Sequence, residues 1–157
     1  MIMLLIAILA VVAMSRMVDM TSMRIDLAAK KLQSDIRYAQ SLAVNTQKRT
    51  LVRFNVASDE YTILIEGGLA WNQIVNPLTQ EDDFIVTLNQ GEFIGVDMLL
   101  TSFDGPPNTR HLLFDEWGNP YSFSGGVSLP LANRGTIGFL GSRFVRIEKG
   151  TGRVYID

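Results

Sequence analysis

The chain opens on an uninterrupted apolar run. Met1–Met14 reads MIMLLIAILAVVAM, with no polar side chain, and Ser15 and Arg16 end it. Beyond it, Ile25, Ala29, Leu32, Ile36, Ala39 and Ala43 recur at spacings of 4, 3, 4, 3 and 4, which is one face of an α-helix. Tyr38 and Leu42 flank that face, while Arg24, Lys31, Asp35 and Gln40 fall mostly off it. Asp26 and Lys30 form an i,i+4 pair with the acid first, the favourable order. The pattern predicts one continuous helix from Met1 to about Lys48, ~70 Å long. Its first third is apolar on every side and the remainder is amphipathic, with the Ile25–Ala43 stripe expected to pack on a sheet.

After Lys48-Arg49 the period shortens. Leu51–Val56 and Tyr61–Ile65 are short runs rich in β-branched and aromatic residues, joined by a hairpin loop at Ala57–Glu60. Gly67 to Gln80 reads as a long polar connection with Trp71 in it. Further strands are predicted at Phe84–Leu88, Phe93–Leu99, His111–Phe114, Val127–Pro130, Thr136–Leu140, Phe144–Glu148 and Arg153–Ile156. Turn chemistry separates them, as at Asp104-Gly105-Pro106-Pro107, Trp117-Gly118-Asn119-Pro120 and Lys149-Gly150-Thr151-Gly152. All glycines lie at Gly67 or later and all prolines at Pro77 or later, so no strong helix breaker interrupts the first 66 residues. The expected class is α+β: a long N-terminal helix packed on an antiparallel β-sheet head. The expected division is 1–49 for the helix (1–23 membrane or filament core, 24–49 amphipathic) and 50–157 for the head.

Three readings of the leading run compete. It has the length of a signal-peptide core, and Val11-Val12-Ala13 resembles a cleavage site, but a basic flank is missing. A buried core helix fits poorly, because a helix apolar on all sides needs a large protein around it. A membrane span fits if about five more apolar residues precede Met1, since 14 helical residues cover only ~21 Å of a ~30 Å hydrocarbon core. The continuing helical period favours the last.

Charge sharpens the division. Met1–Arg49 carries seven Lys/Arg against three Asp, net +4, and the rest carries net −6. An acidic head argues against bulk nucleic-acid binding. Cysteine is absent and His111 is the single histidine, so disulfides, thiolate sites and multi-His metal sites are excluded. The Met17-Met20-Met23 row reads as a flexible apolar seam in preference to a copper site. Glu81-Asp82-Asp83 lacks the spaced oxygens of a calcium cage and reads as a solvated loop. Asp115-Glu116 reads as a turn, because adjacent strand residues point apart. No nucleophile elbow or phosphate loop occurs, which leaves a membrane-anchored hydrolase without a constellation. No cofactor is expected.

The layout resembles the type IV pilin-like family, and within it the H-type minor pseudopilins of type II secretion and the related minor pilins of type IV pili. The carrying segments are Met1–Ala13, the helix end Ala28–Ala43 with the strand Arg49–Phe54 after it, Leu113–Pro120, and Phe144–Glu148 with Thr151–Val154. The resemblance implies a structural subunit, not an enzyme. It implies a single pass in the inner membrane, a head in the periplasm or on a surface filament, and other pilins or pseudopilins as partners. The family's leader, cut by prepilin peptidase, and its fifth-position glutamate are not among these residues: either they precede Met1, or the chain resembles the tip-type minor pseudopilins, which lack that glutamate. Membrane and filament assembly would fall to Met1, Ile2, Leu4, Leu5, Ile6, Ile8, Leu9, Val11, Val12 and Met14. Some DNA-uptake minor pilins place basic residues near the C-terminus; Arg143, Arg146, Lys149 and Arg153 match that pattern incompletely.

Overall fold

The computed structural model describes residues 20–80 and 83–157 with their side chains, and residues 2–19 as helical backbone. The assembly positions named between Met1 and Met14 therefore lie outside the residues whose side chains are described. Helix α1 spans Ile2–Thr46. It stops where Gln47 turns left-handed at φ 53°, and the Lys48 amide donates back to the Ala43 carbonyl at 3.3 Å. That is a Schellman-type stop made without the usual glycine.

Eleven strands follow among the described residues: β1 (Thr50–Asn55), β2 (Glu60–Glu66), β3 (Trp71–Gln73), β4 (Ile85–Thr87), β5 (Met98–Ser102), β6 (His111–Phe114), β7 (Pro120–Ser124), β8 (Val127–Pro130), β9 (Gly135–Phe139), β10 (Arg143–Ile147) and β11 (Val154–Ile156). They build two antiparallel sheets. The first runs β3-β2-β1-β6-β7-β8, with β4 sharing the free edge of β2; the second runs β11-β10-β9-β5. The helix lies against β1 and β6 of the first sheet and β10 and β11 of the second. The fold is thus α+β, a long helix on antiparallel sheet.

Packing explains the choice of small residues on the helix. Ile25, Ala28, Ala29, Leu32, Ile36, Ala39 and Ala43 are all buried, and the alanines let the helix axis approach the sheets closely. They close over Val52, Phe54, Ile63, Leu112 and Phe114 from the first sheet and Ile137, Val145, Ile147 and Val154 from the second. Asp59, left-handed at φ 51°, ties the sheets together: its carbonyl accepts from the Leu88 amide and its carboxylate from the Met98 amide, both at 2.7 Å.

A second, smaller cluster sits on the face of the first sheet away from the helix. Register places Leu64, Leu51, Leu113 and Tyr121 side by side across β2, β1, β6 and β7. Four strand spacings separate β3 from β7, about 19 Å on a flat sheet. The rings of Trp71 on β3 and Phe123 on β7 nevertheless meet edge to face at 5.6 Å. The sheet therefore curls, and the two rings roof over the three leucines.

Three strand expectations need revision. Phe93–Leu99 is not one strand: Gly91–Phe93 is a 3-10 turn, and β5 starts only at Met98. Glycines on both sides, Gly91 at φ 54° and Gly95 at φ 84°, break the run. The presumed connection Gly67–Gln80 contains β3, and the stretch after the Trp117–Pro120 turn is β7. In β7 the small serines Ser122 and Ser124 mask the alternation, although Ser122 is fully buried.

Candidate functional site: the helix and its open face

The polar residues of α1 fasten the head to it. Asp35 is 4% exposed beneath the sheet edge. Its carboxylate accepts the Tyr61 hydroxyl at 2.6 Å and pairs with the Lys31 ammonium at 2.5 Å. Lys31 also lies over the Phe84 ring, which stacks on Tyr38. Burial, then the Asp35 charge and the hydrogen bond to it, hold the Tyr61 hydroxyl well above its ordinary range, so it stays a donor. The hydropathy pattern sets Asp35 and Lys31 off the packed face; only a partner on a distant strand reveals why an acid belongs beside it.

Five more hydrogen bonds run from four helix side chains to main-chain carbonyls of the head. Arg24 donates to Ile94, Gln33 and Arg37 to Val154, and Gln40 to both Gly118 and Thr151, at 2.8–3.1 Å. Gly152 sits at φ 65° against Gln40, where a Cβ would lie 2.6 Å from the Gln40 amide nitrogen.

The opposite side of the helix is open. Met20, Met23, Leu27, Lys30, Ser34, Arg37, Ser41 and Val44 are exposed at alternating spacings of 3 and 4, a single stripe along the described helix. Its start is apolar, with Met23 66% exposed, and it becomes polar toward the middle. Among the described residues no helix is long and apolar enough to cross a membrane.

The remaining residues singled out by sequence fall as follows. Arg143 pairs with Asp26 at 2.6 Å and Arg146 with Asp157 at 2.7 Å, so two of the four C-terminal cations face carboxylates; Lys149 and Arg153 are exposed. Asp115 accepts from the Trp117 and Asn119 amides and the Asn119 side chain, which makes a rigid loop that holds Trp117 outward at 76% exposure. His111 accepts the Phe54 amide on Nδ1 at 3.3 Å; burial and then the Arg53 charge push its pKa below the ordinary 6.5. Glu81 and Asp82 lie outside the described residues. Among those described, no group of three or more histidines and carboxylates is placed to hold a metal.

The arrangement to explain is a long helix, half sheathed by two antiparallel sheets and half bare. The minor pseudopilin EpsH of the Vibrio cholerae type II secretion system has a similar fold. One EpsH structure aligns over 85% of this chain and 96% of its own, with a TM-score of 0.57 at 14% identity. A second aligns over 85% and 92%, with a TM-score of 0.60 at 13% identity. The fold is pilin-like. A type IV minor pilin, FimU of Pseudomonas aeruginosa, aligns over 85% of this chain and 87% of its own at 20% identity and a TM-score of 0.49. No protein-family model and no curated protein matches the chain. In this pilin-like fold the helix is the common frame, and the sheets cover only the side that carries Ile25, Leu32 and Ile36.

Proposed function

We propose that the chain is a structural subunit, a minor pseudopilin or minor pilin, anchored in the inner membrane by its apolar start with the head in the periplasm. Assembly draws it into a filament through α1. The observation that carries this reading is the open stripe from Met20 to Val44 on a helix whose leading residues are apolar all round. A bare helix face of this length in a pilin-like fold is suited to neighbouring helices. Moving an apolar helix from lipid into a bundle of like helices costs little, because both surround it with similar packing. Leaving it in water costs ~25 cal/mol per Å2 of apolar surface, so the free monomer would not persist. No chemistry is required of the head, which decorates the filament and meets sister subunits or cargo.

The native chain has no cysteine, so single cysteines give a clean cross-linking background. Ser34→Cys on the open stripe is expected to form disulfide-linked species with filament subunits in cells that build the filament. Thr62→Cys, on the far face of the first sheet, is the matched control. Recovery of the chain as a freely dissolved species lacking its first dozen residues, with no cross-link from position 34, would overturn the reading.

A further inference from the structure

Two features lie at opposite ends of the seam between α1 and the head, and neither serves the packing of its own chain. The first is Trp117. Its indole stands in solvent, yet the loop that carries it is tied down on several sides. The buried Asp115 carboxylate accepts from the Trp117 amide at 3.0 Å and the Asn119 amide at 2.7 Å. Gln40 donates to the Gly118 carbonyl at 2.8 Å and Gln47 to the Glu116 carbonyl at 3.3 Å. Gly118, at φ 82°, lies so close to Val44 that a Cβ there would stand 3.0 Å from its side chain. A bare indole on a fixed loop is the make-up of an interface anchor: large apolar area, with the ordering cost of its backbone already met.

The second is a cavity of about 430 Å3 where α1 leaves the head, between the helix and the β9–β10 turn. Ile25 and Leu140 give it apolar walls, and Gly141, at φ 85°, bends the turn in without a side chain of its own. The Arg143 guanidinium stands at the same site, held by the Asp26 carboxylate at 2.6 Å. Apolar walls beside a fixed guanidinium suit an aromatic ring, whose edges bury against hydrocarbon while the cation lies over its face. The Asp26 carboxylate adds an acceptor, and an indole N–H is purely a donor. An aliphatic side chain would use neither charge.

The chain has two tryptophans, and Trp71 is already engaged with Phe123 over the leucines. Trp117 is the other. It does not reach the cavity of its own chain, because Ile25 and Val44 are about 29 Å apart along the helix. The match is therefore between copies. Knob and hole are different surfaces, so the contact is heterologous and extends head to tail instead of closing a pair. Helices anchored in one membrane run parallel, so the second copy sits about 30 Å further along the axis. Its leading residues, Ile2 to Thr21, then pass beside the first helix over most of the length of the open stripe.

We propose that Trp117 of one copy seats in the Ile25–Leu140 cavity of the next, with its ring against the Arg143 guanidinium and its N–H toward the Asp26 carboxylate. The proposal rests on the filament-subunit reading and gives it a register, fixed by a side chain of the head.

The test uses the full-length chain in cells that build the filament. The photo-cross-linking residue p-benzoylphenylalanine replaces Trp117 in one copy, and a second copy carries an affinity tag. After illumination the tagged copy is recovered and the joined peptides are read by mass spectrometry. Position 117 is expected to join the 140–143 turn or the 21–26 segment of the tagged copy. The reciprocal probe, at Leu140 with Trp117 intact, is expected to join the 116–119 loop. Arg143→Ala in the tagged copy is expected to lower the yield from 117 about threefold, as befits loss of a guanidinium–ring contact. An unchanged yield overturns the seating, and so does an equal yield of that product from a probe at the exposed Leu69. A probe at Ser34, on the open stripe, reports the filament reading separately. If 34 joins filament subunits while 117 and 140 join neither predicted segment, the seating falls and the filament reading stands. If none of the three joins another subunit, both fall. Circular dichroism of each purified variant establishes that it is folded.

Discussion

Asp35 is the residue on which the helix–head seam turns. It is buried, its charge is answered by Lys31, and its second contact is a hydroxyl with no exposure of its own. Removing the carboxylate strands both partners. Asp35→Ala should cost on the order of 3 kcal/mol in chemical denaturation. Tyr61→Phe should cost about 1 kcal/mol, and the double variant clearly less than the sum, since each change removes the same hydrogen bond. Additive losses would mean that the two groups do not act as a pair. His111 gives a second residue-scale prediction. Its folded pKa lies below the unfolded 6.5, so the unfolded chain takes up the proton first. Stability is then full above pH 6.5 and falls as pH drops from there toward the folded value. Glu66, whose pKa the Arg49 hydrogen bond lowers from 4.5, adds its own loss only at more acidic pH. The unfolding midpoint should therefore drop between pH 7.5 and 5.5, and His111→Gln should remove most of that drop.

At the scale of elements, the helix ties are the feature to probe. Gln40 reaches two loops at once, through the carbonyls of Gly118 and Thr151. Gln40→Ala should cost about 1–2 kcal/mol, because two carbonyls lose their donor, and faster amide exchange should appear in both loops. Gly152→Ala should cost at least as much, since φ 65° and the close Gln40 amide both oppose a Cβ. A thermal melt unchanged in either variant would refute the clasp. The sequence pattern does disclose the main elements. The stripe from Ile25 to Ala43 has the helical period because one side of it is buried along its whole length. β1, β2 and β6 are readable because β-branched and aromatic residues fill them. β7 is not, because burying Ser122 needs a specific acceptor, the Phe103 carbonyl, which no local window contains. Asp35 is illegible for the same reason: its partner Tyr61 lies 26 residues away. The open stripe is visible in sequence only as the complement of the buried one.

For the whole molecule, the curl of the first sheet and the one-sided cover of the helix set the shape. Trp71→Ala should open the roof over Leu51, Leu64 and Leu113 and cost about 2–3 kcal/mol, since the ring is only partly buried. Phe123→Ala should add little to it, because each ring covers the same leucines. Fluorescence separates this from the exposed Trp117, which should keep its red-shifted emission when Trp71 is removed. Arg24, Gln33, Arg37 and Gln40 all hold peptide carbonyls, and every amino acid supplies one. Substitution of the side chain at Ile94 or Thr151 leaves the accepting carbonyl and the grip on the helix in place, whereas Gly118 and Gly152 are held to glycine by their positive φ.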